Sequence, residues 1–173
     1  MYVRIKQILK HHWFDESATR RALPPDAVKR LGQRVAASEQ RHSGQIRIYV
    51  EAGLPLNYLL RKLPTRQITR QRALAVFSKL RAWDTERNNG VLIYLLLAER
   101  SIEIVADRGL NDKVTPQAWQ ALMSGMRTGL LASNYEAGLA EALDQVSTLL
   151  VQHFPLQSGQ VNLNELPDTP VLR

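Results

Sequence analysis

The sequence predicts an α/β fold: a three-layer α/β/α sandwich in which helices cover both faces of a small mixed sheet. Three observations lead to this prediction. Residues 91–98 are consecutively apolar, as in a strand that is buried on both faces. Residues 45–51 and 101–106 alternate polar and apolar side chains, which predicts a strand with Ile46, Ile48 and Val50 inward and a second, half-covered strand. Helical periodicities lie between and after these strands, so helices are expected to cover the sheet.

The connections between the strands predict their directions. A helix on residues 65–83 links the first strand to the second, which implies a parallel pair with a right-handed crossover. Only residues 99 and 100 link the second strand to the third. A connection this short requires an antiparallel return. The predicted sheet is therefore a parallel pair joined to an antiparallel hairpin.

Three further helices are predicted from their periodicity and their starts. One begins at Pro24-Pro25, because prolines are tolerated in a first helical turn. It ends near residue 41, because Ser43-Gly44 breaks the helical pattern. The second follows Thr115-Pro116 and runs to about residue 130, and the third follows Ser133-Asn134. Thr65 is predicted to cap the crossover helix, and the loop before it is expected to be packed down, with room for one short helical turn.

One domain is predicted on residues 23–155, with a basic arm before it on 1–22 and a loose tail after it on 156–173. The arm is weakly amphipathic, and two placements are open: it lies on a lipid surface or it packs on the domain. Trp13 and Phe14 are expected to anchor the arm to the core. The tail has prolines, a glycine and little pattern.

Composition excludes several classes of protein. The chain has 173 residues, of which 45% are hydrophobic, and no cysteine, so disulfides and thiolate metal sites are excluded. No stretch approaches the ~20 apolar residues of a membrane span, and charges interrupt the N-terminus where a signal peptide is apolar. We expect a cytoplasmic protein that associates with membranes peripherally at most.

Charge is distributed unevenly along the chain. Residues 1–87 hold 18 Lys and Arg against 7 Asp and Glu, a balance of +11, and residues 88–173 hold 5 against 9, a balance of −4. This asymmetry favours an anionic partner, either a protein or an anionic membrane surface. The alternative is that the basic half only maintains solubility. No nucleic-acid-binding motif accompanies the charge, so a specific nucleic-acid reader is not expected.

Several segments, in this order and spacing, resemble the TPM domain. They are Ser43–Ile46, Asn88–Ile93, Arg100–Ile104 with isoleucine at every second position from 102, Gly109-Leu110, and Asn134–Leu139 at the start of the last helix. The family includes thylakoid-lumen phosphatase-like proteins that are linked to photosystem repair. The likeness covers roughly the whole predicted domain. It implies a compact α/β/α sandwich, and for the lumenal members acid phosphatase activity with divalent metals.

The chain departs from the family in three ways. TPM domains usually carry an aspartate just before the first helix, where the nearest residues here are Asp15 and Asp26. They are usually secreted or tethered by a membrane helix, whereas this chain resembles an untethered branch. Asp107 stands where many members have glycine. Three functions stay open: an accessory binding module for a protein or membrane surface, a divalent-metal-dependent phosphatase acting on phosphomonoesters, and non-specific nucleic-acid binding.

The predicted topology gathers polar loops at one end of the sheet. Candidate ligand-binding residues there are Asn88, Asn89, Gly90, Asp107 and Arg108. Oxygen-rich groups suit a hard divalent cation, Ca²⁺ or Mg²⁺. Its candidate ligands are Asp84, Asp107 and Asp112. The alternative is that the asparagines only form a turn and that Asp107 pairs with Arg108 or a helix terminus.

The opposite end of the sheet offers a second candidate site. Thr65 and Arg66, at a helix N-terminus, are the residues that would receive a phosphate there. A glycine-rich phosphate loop is missing, so a nucleotide is not expected. His42 and His153 are not expected to be catalytic, because no orienting carboxylate is evident. No catalytic residue is assigned from the sequence.

Overall fold

The computed structural model describes residues 2–125, 133–157 and 159–173. Helices in these residues are α1 (Tyr2–Trp13), α2 (Glu16–Ala22), α3 (Pro25–Glu39), α4 (Leu56–Leu59), α5 (Thr65–Lys79), α6 (Arg108–Asn111), α7 (Pro116–Gly125) and α8 (Tyr135–His153). The strands are β1 (Gln45–Glu51), β2 (Gly90–Leu96), β3 (Ser101–Ala106) and β4 (Val171–Leu172). The end of the helix predicted to run to residue 130 lies outside the described residues. None of the described helices is long and apolar enough to cross a bilayer.

The sheet has four strands in the order β3-β2-β1-β4. β1 and β2 are parallel, with Gln45 opposite Gly90 and Glu51 opposite Leu96. β2 and β3 are antiparallel, with Val91 opposite Ala106. The predicted parallel pair and antiparallel hairpin are therefore confirmed.

Side chains on the two faces of the sheet form two apolar cores. Ile46, Ile48 and Val50 of β1 belong to the core that α3 and α8 cover. Tyr49 of β1 and Tyr94 of β2 belong to the opposite core, which α4 and α5 cover. β2 is buried along its whole length, because helices cover it on both sides. The predicted three-layer α/β/α sandwich is confirmed.

Local signals predicted most helix bounds. α4 is the short turn expected in the loop before α5, and Asn134 caps α8 by accepting a hydrogen bond from the Ala137 N–H at 3.2 Å. The prediction that Thr65 caps α5 is wrong, because Pro64 holds the cap position and Thr65 is the first helical residue. α5 also ends earlier than predicted, and Arg81, shortly after it, has a φ of 54°.

The C-terminal segment is not a loose tail at its end. The Arg173 N–H donates to the Val50 carbonyl at 2.9 Å, and the Ala52 N–H donates to the Arg173 carbonyl at 2.8 Å. β4 therefore pairs with the edge of β1, and Leu166 is buried in the second core. Without β4 this edge would carry unpaired backbone groups, which sheets usually cover. The other domain bounds stay a prediction.

The N-terminal arm is helical and lies against the domain. α1 approaches the loop after β1 so closely that a Cβ atom on Gly53 would be 2.5 Å from the His11 carbonyl oxygen. Phe14 packs against the first core, as predicted. The prediction that Trp13 is an anchor is wrong: its side chain is exposed. Two residues cover about 200° of a helix, so Trp13 points away from the face that carries His11.

Candidate functional site

The turn before β2 carries three of the candidate ligand-binding residues. Asn88 has a φ of 52°, in the left-handed region that asparagine tolerates better than most residues. Its backbone N–H donates to the Thr85 carbonyl at 3.1 Å. Gly90 lies so close to the preceding turn that a Cβ atom would be 1.8 Å from the Ala82 carbonyl oxygen. Any side chain at Gly90 would therefore displace this turn from the sheet.

A second turn, after β3, is hydrogen-bonded to the first. The Asp107 N–H donates to the Gly90 carbonyl at 2.9 Å. The Gly109 N–H donates to the Asn88 carbonyl at 2.8 Å. Arg108 donates from Nη2 to Asn88 Oδ1 at 2.9 Å. The structure thus brings these candidate residues together, in what we call the turn network, at the N-terminal end of β2.

Asp107 also begins the short helix α6. Its Oδ1 accepts a hydrogen bond from the Arg108 N–H at 2.8 Å, which is the helix-terminus role that the turn interpretation allows. The other carboxylate oxygen, Oδ2, is buried and has no hydrogen-bond partner among the described residues. Buried polar atoms in this state are rare in proteins. A cation or an ordered water would satisfy Oδ2.

Asn89 is fully buried and links the starts of β1 and β2. Its Nδ2 donates to Ser43 Oγ at 3.3 Å, and its Oδ1 accepts from Thr85 Oγ1 at 3.4 Å. Arg87 donates from Nη1 to the same Ser43 oxygen at 3.3 Å. The amide of Asn89 is therefore occupied by neighbouring side chains.

Asp84 and Asp112 lie on the surface. Asp84 pairs with Arg81, and Asp112 ends α6 as its C-cap residue. In residues 2–125, 133–157 and 159–173, no group of three or more histidine or acidic side chains is arranged to hold a metal ion. Of the three predicted metal ligands, Asp107 is the one in the turn network.

Thr65 and Arg66 lie at the opposite end of the parallel strands, where α5 begins. Thr65 Oγ1 accepts a hydrogen bond from Gln7 Nε2 of α1 at 2.6 Å. Arg66 is exposed, and its charge acts on the nearby Glu103. The Thr65 hydroxyl is therefore already bonded to α1.

Comparison with known proteins identifies the family. The family model for the TPM domain matches residues 18–149. This chain belongs to the TPM domain family. Among solved structures, it is similar to the NMR structure of the BA42 protein from the psychrophilic bacterium Bizionia argentinensis. The two are 25% identical with a TM-score of 0.71, and the match covers 86% of this chain and 94% of BA42. No curated protein matches the chain.

The most basic part of this TPM domain runs from the end of β1 to the end of the crossover. Residues 52–83 contain seven Lys and Arg and no Asp or Glu. Six of the seven are exposed, and Arg72 is the more buried one. The exposed residues are Arg61, Lys62, Arg66, Arg70, Lys79 and Arg81. We call these six the basic surface.

Arg72 belongs to a buried ion pair that the sequence did not reveal. Its Nε lies 2.9 Å from Glu51 Oε2 and its Nη2 lies 2.6 Å from Glu51 Oε1. The Tyr94 hydroxyl donates to Glu51 Oε2 at 2.6 Å. The hydrogen bonds to Glu51 raise the pKa of Arg72 above its usual range, against the effect of its burial. This pair neutralises a buried carboxylate beside the second core, and the Arg72 side chain is 17% exposed.

A buried chain of hydroxyl groups ends at His42, and sequence reasoning missed it. Ser38 Oγ lies 2.8 Å from His42 Nε2 and 2.7 Å from Ser147 Oγ. Arg41 donates to the same Ser147 oxygen at 2.7 Å. Burial lowers the pKa of His42 to about 4, so the imidazole is neutral at pH 7. Ser38, His42 and Ser147 are all buried. A substrate therefore cannot reach the serine–histidine contact.

The C-terminal segment is held by the buried side chain of Gln45. Its Oε1 accepts from the N–H groups of Glu165 and Leu166 at 2.9 and 3.0 Å. Beside it, Glu39 accepts from the Ile46 N–H at 2.7 Å. Burial raises the pKa of Glu39 to about 8, and the Asp168 charge acts in the same direction. Glu39 is therefore mainly protonated at pH 7.

A cavity of about 180 Å³ opens between this C-terminal segment and residues 86–87, which precede the turn network. Ser43, Glu86, Arg87 and Glu165 are among its lining residues. Glu165 accepts from the Glu86 N–H at 3.0 Å, and Arg87 donates to Ser43. These four residues are thus bonded in pairs, and they carry both signs of charge.

Proposed function

We propose that this TPM domain is an accessory binding module that attaches to an anionic partner, a protein or a membrane surface, through its basic surface. The observation that carries the proposal is the run of cations without an acidic residue on residues 52–83. Its members are displayed on α5 and on the turns before and after it. Arg70 and Arg81 pair with Glu103 and Asp84 from neighbouring segments. The remaining excess of positive charge attracts anionic surfaces and accelerates association with them.

The state of the polar groups elsewhere supports binding over catalysis. A catalytic acid, base or nucleophile must reach its substrate within hydrogen-bonding distance. Asn89 and the Ser38–His42 contact are buried, and Asn88 is bonded to Arg108. The polar atoms that a reaction would need are thus buried or already hydrogen-bonded within the fold.

The proposal is tested by binding at low salt to two anionic surfaces, phosphatidylglycerol-containing vesicles and polyglutamate-coated beads. We expect binding to at least one, and we expect it to weaken steeply with added salt because exposed charges are screened. Replacing Arg61, Lys62 and Arg66 together by glutamine should weaken it by at least about tenfold.

The matched control replaces Arg20, Lys29 and Lys113 by glutamine, which removes the same charge outside the basic surface. Its binding should stay within about threefold of the unmodified chain. If the unmodified chain binds neither surface at low salt, or if both triple variants lose binding equally, the proposal is wrong.

A second candidate, a divalent-metal-dependent phosphatase, is favoured by one observation: the buried Oδ2 of Asp107 has no partner among the described residues. Mg²⁺ or Ca²⁺ prefers oxygen ligands of this kind. The remaining donor set fits less well, because Asn88 Oδ1 accepts from the cationic Arg108 and Asp84 pairs with Arg81. Asp107 would be the residue that holds the ion.

This candidate is tested by adding Mg²⁺, Mn²⁺ and Ca²⁺ separately and following amide chemical shifts and phosphomonoester hydrolysis. Binding at Asp107 should shift the amides of residues 88–90 and 107–109, and Asp107→Asn should abolish those shifts. Asp112→Asn is the control, since Asp112 is exposed at the end of α6. Amide shifts without hydrolysis would mean that the domain binds the ion at Asp107 but is not a phosphatase.

A further inference from the structure

The outer face of α1 carries two large apolar side chains that contact no core. Its inner face packs on the domain through His11, which bonds the Leu54 N–H at 3.0 Å and Glu99 at 2.9 Å. Leu9 and Trp13, four residues apart, share the other face. They are 59% and 86% exposed. Packing in the core therefore does not explain why two large apolar residues occupy this helix face.

α4, which packs against α1, shows the same arrangement. It buries Tyr58 and Leu59, whereas Leu56 at its start and Leu60 at its C-cap, again four residues apart, are exposed. Their exposed fractions are 56% and 59%. Leu63, in the turn that follows, is 40% exposed. We call Leu9, Trp13, Leu56, Leu60 and Leu63 the apolar surface of α1 and α4.

Cations accompany this apolar surface. Arg61 and Lys62 lie in the same turn as Leu60 and Leu63, and both are exposed. The Arg61 guanidinium lies 4.0 Å from the centre of the Tyr58 ring and donates to Gln71. Glu99, the acidic residue bonded to α1, is paired with Lys10 at 3.1 Å and is also hydrogen-bonded to His11. The surface is therefore apolar and positive.

We infer that the apolar surface of α1 and α4 docks onto an anionic lipid bilayer, with Trp13 and the leucines in the interface and Arg61 and Lys62 on the headgroups. The inference rests on the proposed function and names its partner. Stable peripheral attachment requires apolar burial and basic charge together, and tryptophan favours the membrane–water interface. A second copy of the chain across a two-fold axis would bring like charges together.

The test uses the emission of Trp13. The chain has three tryptophans, so Trp83→Phe with Trp119→Phe leaves Trp13 as the single reporter. Adding phosphatidylcholine vesicles with phosphatidylglycerol should shift its emission to shorter wavelength, and brominated lipid should quench it. Vesicles of phosphatidylcholine alone should do neither. If the reporter does not fold, the difference between the unmodified chain and Trp13→Phe provides the same measurement.

Partitioning of variants by vesicle sedimentation is the second measurement. Trp13→Ser and Leu60→Ser should each weaken binding by about tenfold, since each removes a large apolar side chain from the interface. Leu163→Ser is the matched control, because Leu163 is 73% exposed in the C-terminal segment. It should bind like the unmodified chain.

Three results would overturn the inference. If vesicles bind but Trp13 emission is unchanged and Leu60→Ser behaves like Leu163→Ser, the attachment is electrostatic only. If the chain binds polyglutamate beads but not vesicles, the proposed function stands with a protein partner. If Trp13 emission shifts with protein concentration and without lipid, and the chain sediments as a dimer, the occupant is a second copy.

Discussion

The two ends of the parallel strands β1 and β2 hold their buried titratable groups in opposite ways. At the N-terminal end, Glu39 is mainly protonated and His42 is neutral, because burial moves the pKa of each to about 8 and about 4. At the C-terminal end, Glu51 is paired with Arg72 and accepts from Tyr94. Burying an unpaired charge is costly. Glu39 and His42 thus avoid the charge, whereas the charge of Glu51 is compensated.

The ends also differ in what brings them together. The N-terminal end closes through backbone hydrogen bonds and contacts that exclude even a Cβ atom at Gly90 and Gly109. The C-terminal end depends on side chains from α1 and α5, including His11 on Glu99. We therefore expect the first end to respond to steric change and pH, and the second to the loss of a partner charge.

The largest effect is expected for Arg72→Met. Removing the guanidinium leaves Glu51 buried without its counter-ion, which should lower the free energy of unfolding by about 3–5 kcal/mol. Urea denaturation measures it. Adding Glu51→Gln should recover part of the loss, and Arg34→Met, which breaks the exposed pair with Asp144, should cost less than about 1 kcal/mol. Equal costs for the two single variants would contradict the comparison.

Gly90→Ala tests the steric closure of the other end. Its Cβ would lie 1.8 Å from a backbone oxygen, so the turn must move, and we expect a loss of about 3 kcal/mol in the free energy of unfolding. The control is Gly32→Ala in α3, because the atoms nearest to its Cβ atom, in Asp168 and Thr169, would be 3.7 Å away. It should be neutral or slightly stabilising. A neutral Gly90→Ala would mean that the turn is not held against the sheet.

Glu39→Gln tests the pH response of the N-terminal end. The pKa of Glu39 is raised from 4.5 to about 8, so its stability contribution is complete below pH 4.5 and is lost as the pH rises through 8. The pKa of His42 is lowered from 6.5 to about 4, so its contribution is complete above pH 6.5 and is lost as the pH falls. Between pH 6.5 and pH 8, Glu39 is therefore the one of these two residues whose contribution to stability changes with pH.

From pH 6.5 to 8 the unmodified chain should therefore lose up to about 2 kcal/mol more than Glu39→Gln does. The glutamine keeps an acceptor for the Ile46 N–H, so the fold is retained. Thermal or urea unfolding at several pH values provides the comparison. Parallel pH profiles for the two chains would show that Glu39 ionises normally in the folded state.

The smallest effect is expected for Glu99→Gln at the C-terminal end. Burial raises the pKa of Glu99, but hydrogen bonds from His11 and Lys10 outweigh it and hold that pKa below its usual value. Weakening these bonds should increase hydrogen exchange in α1 by about fivefold, with no change in β2. The unmodified chain should show the same loosening as the pH falls below 4.5. Exchange that rises equally in β2 would mean that α1 and the domain unfold together.

Local patterns were sufficient for the central sheet. The apolar run of β2 and the alternation of β3 predicted their burial, because the period of a strand relates neighbouring residues directly. β1 alternates as well, but it is buried along its whole length. The same holds for the two turns: asparagine and glycine at residues 88–90 mark a turn wherever they occur. Chain connectivity then predicted that this turn would meet residues 107–109.

The sequence alone therefore determined the class of fold, the direction of three strands and the grouping of the turn network. The tertiary structure decided which distant groups are partners. Ser38 and Ser147 are separated by 109 positions, and Gln45 bonds the backbone near Leu166 across 121 positions. Neither contact is indicated by a periodic pattern or by a local sequence motif. Such contacts arise only when packed helices and a covered sheet edge bring the two segments within hydrogen-bonding distance.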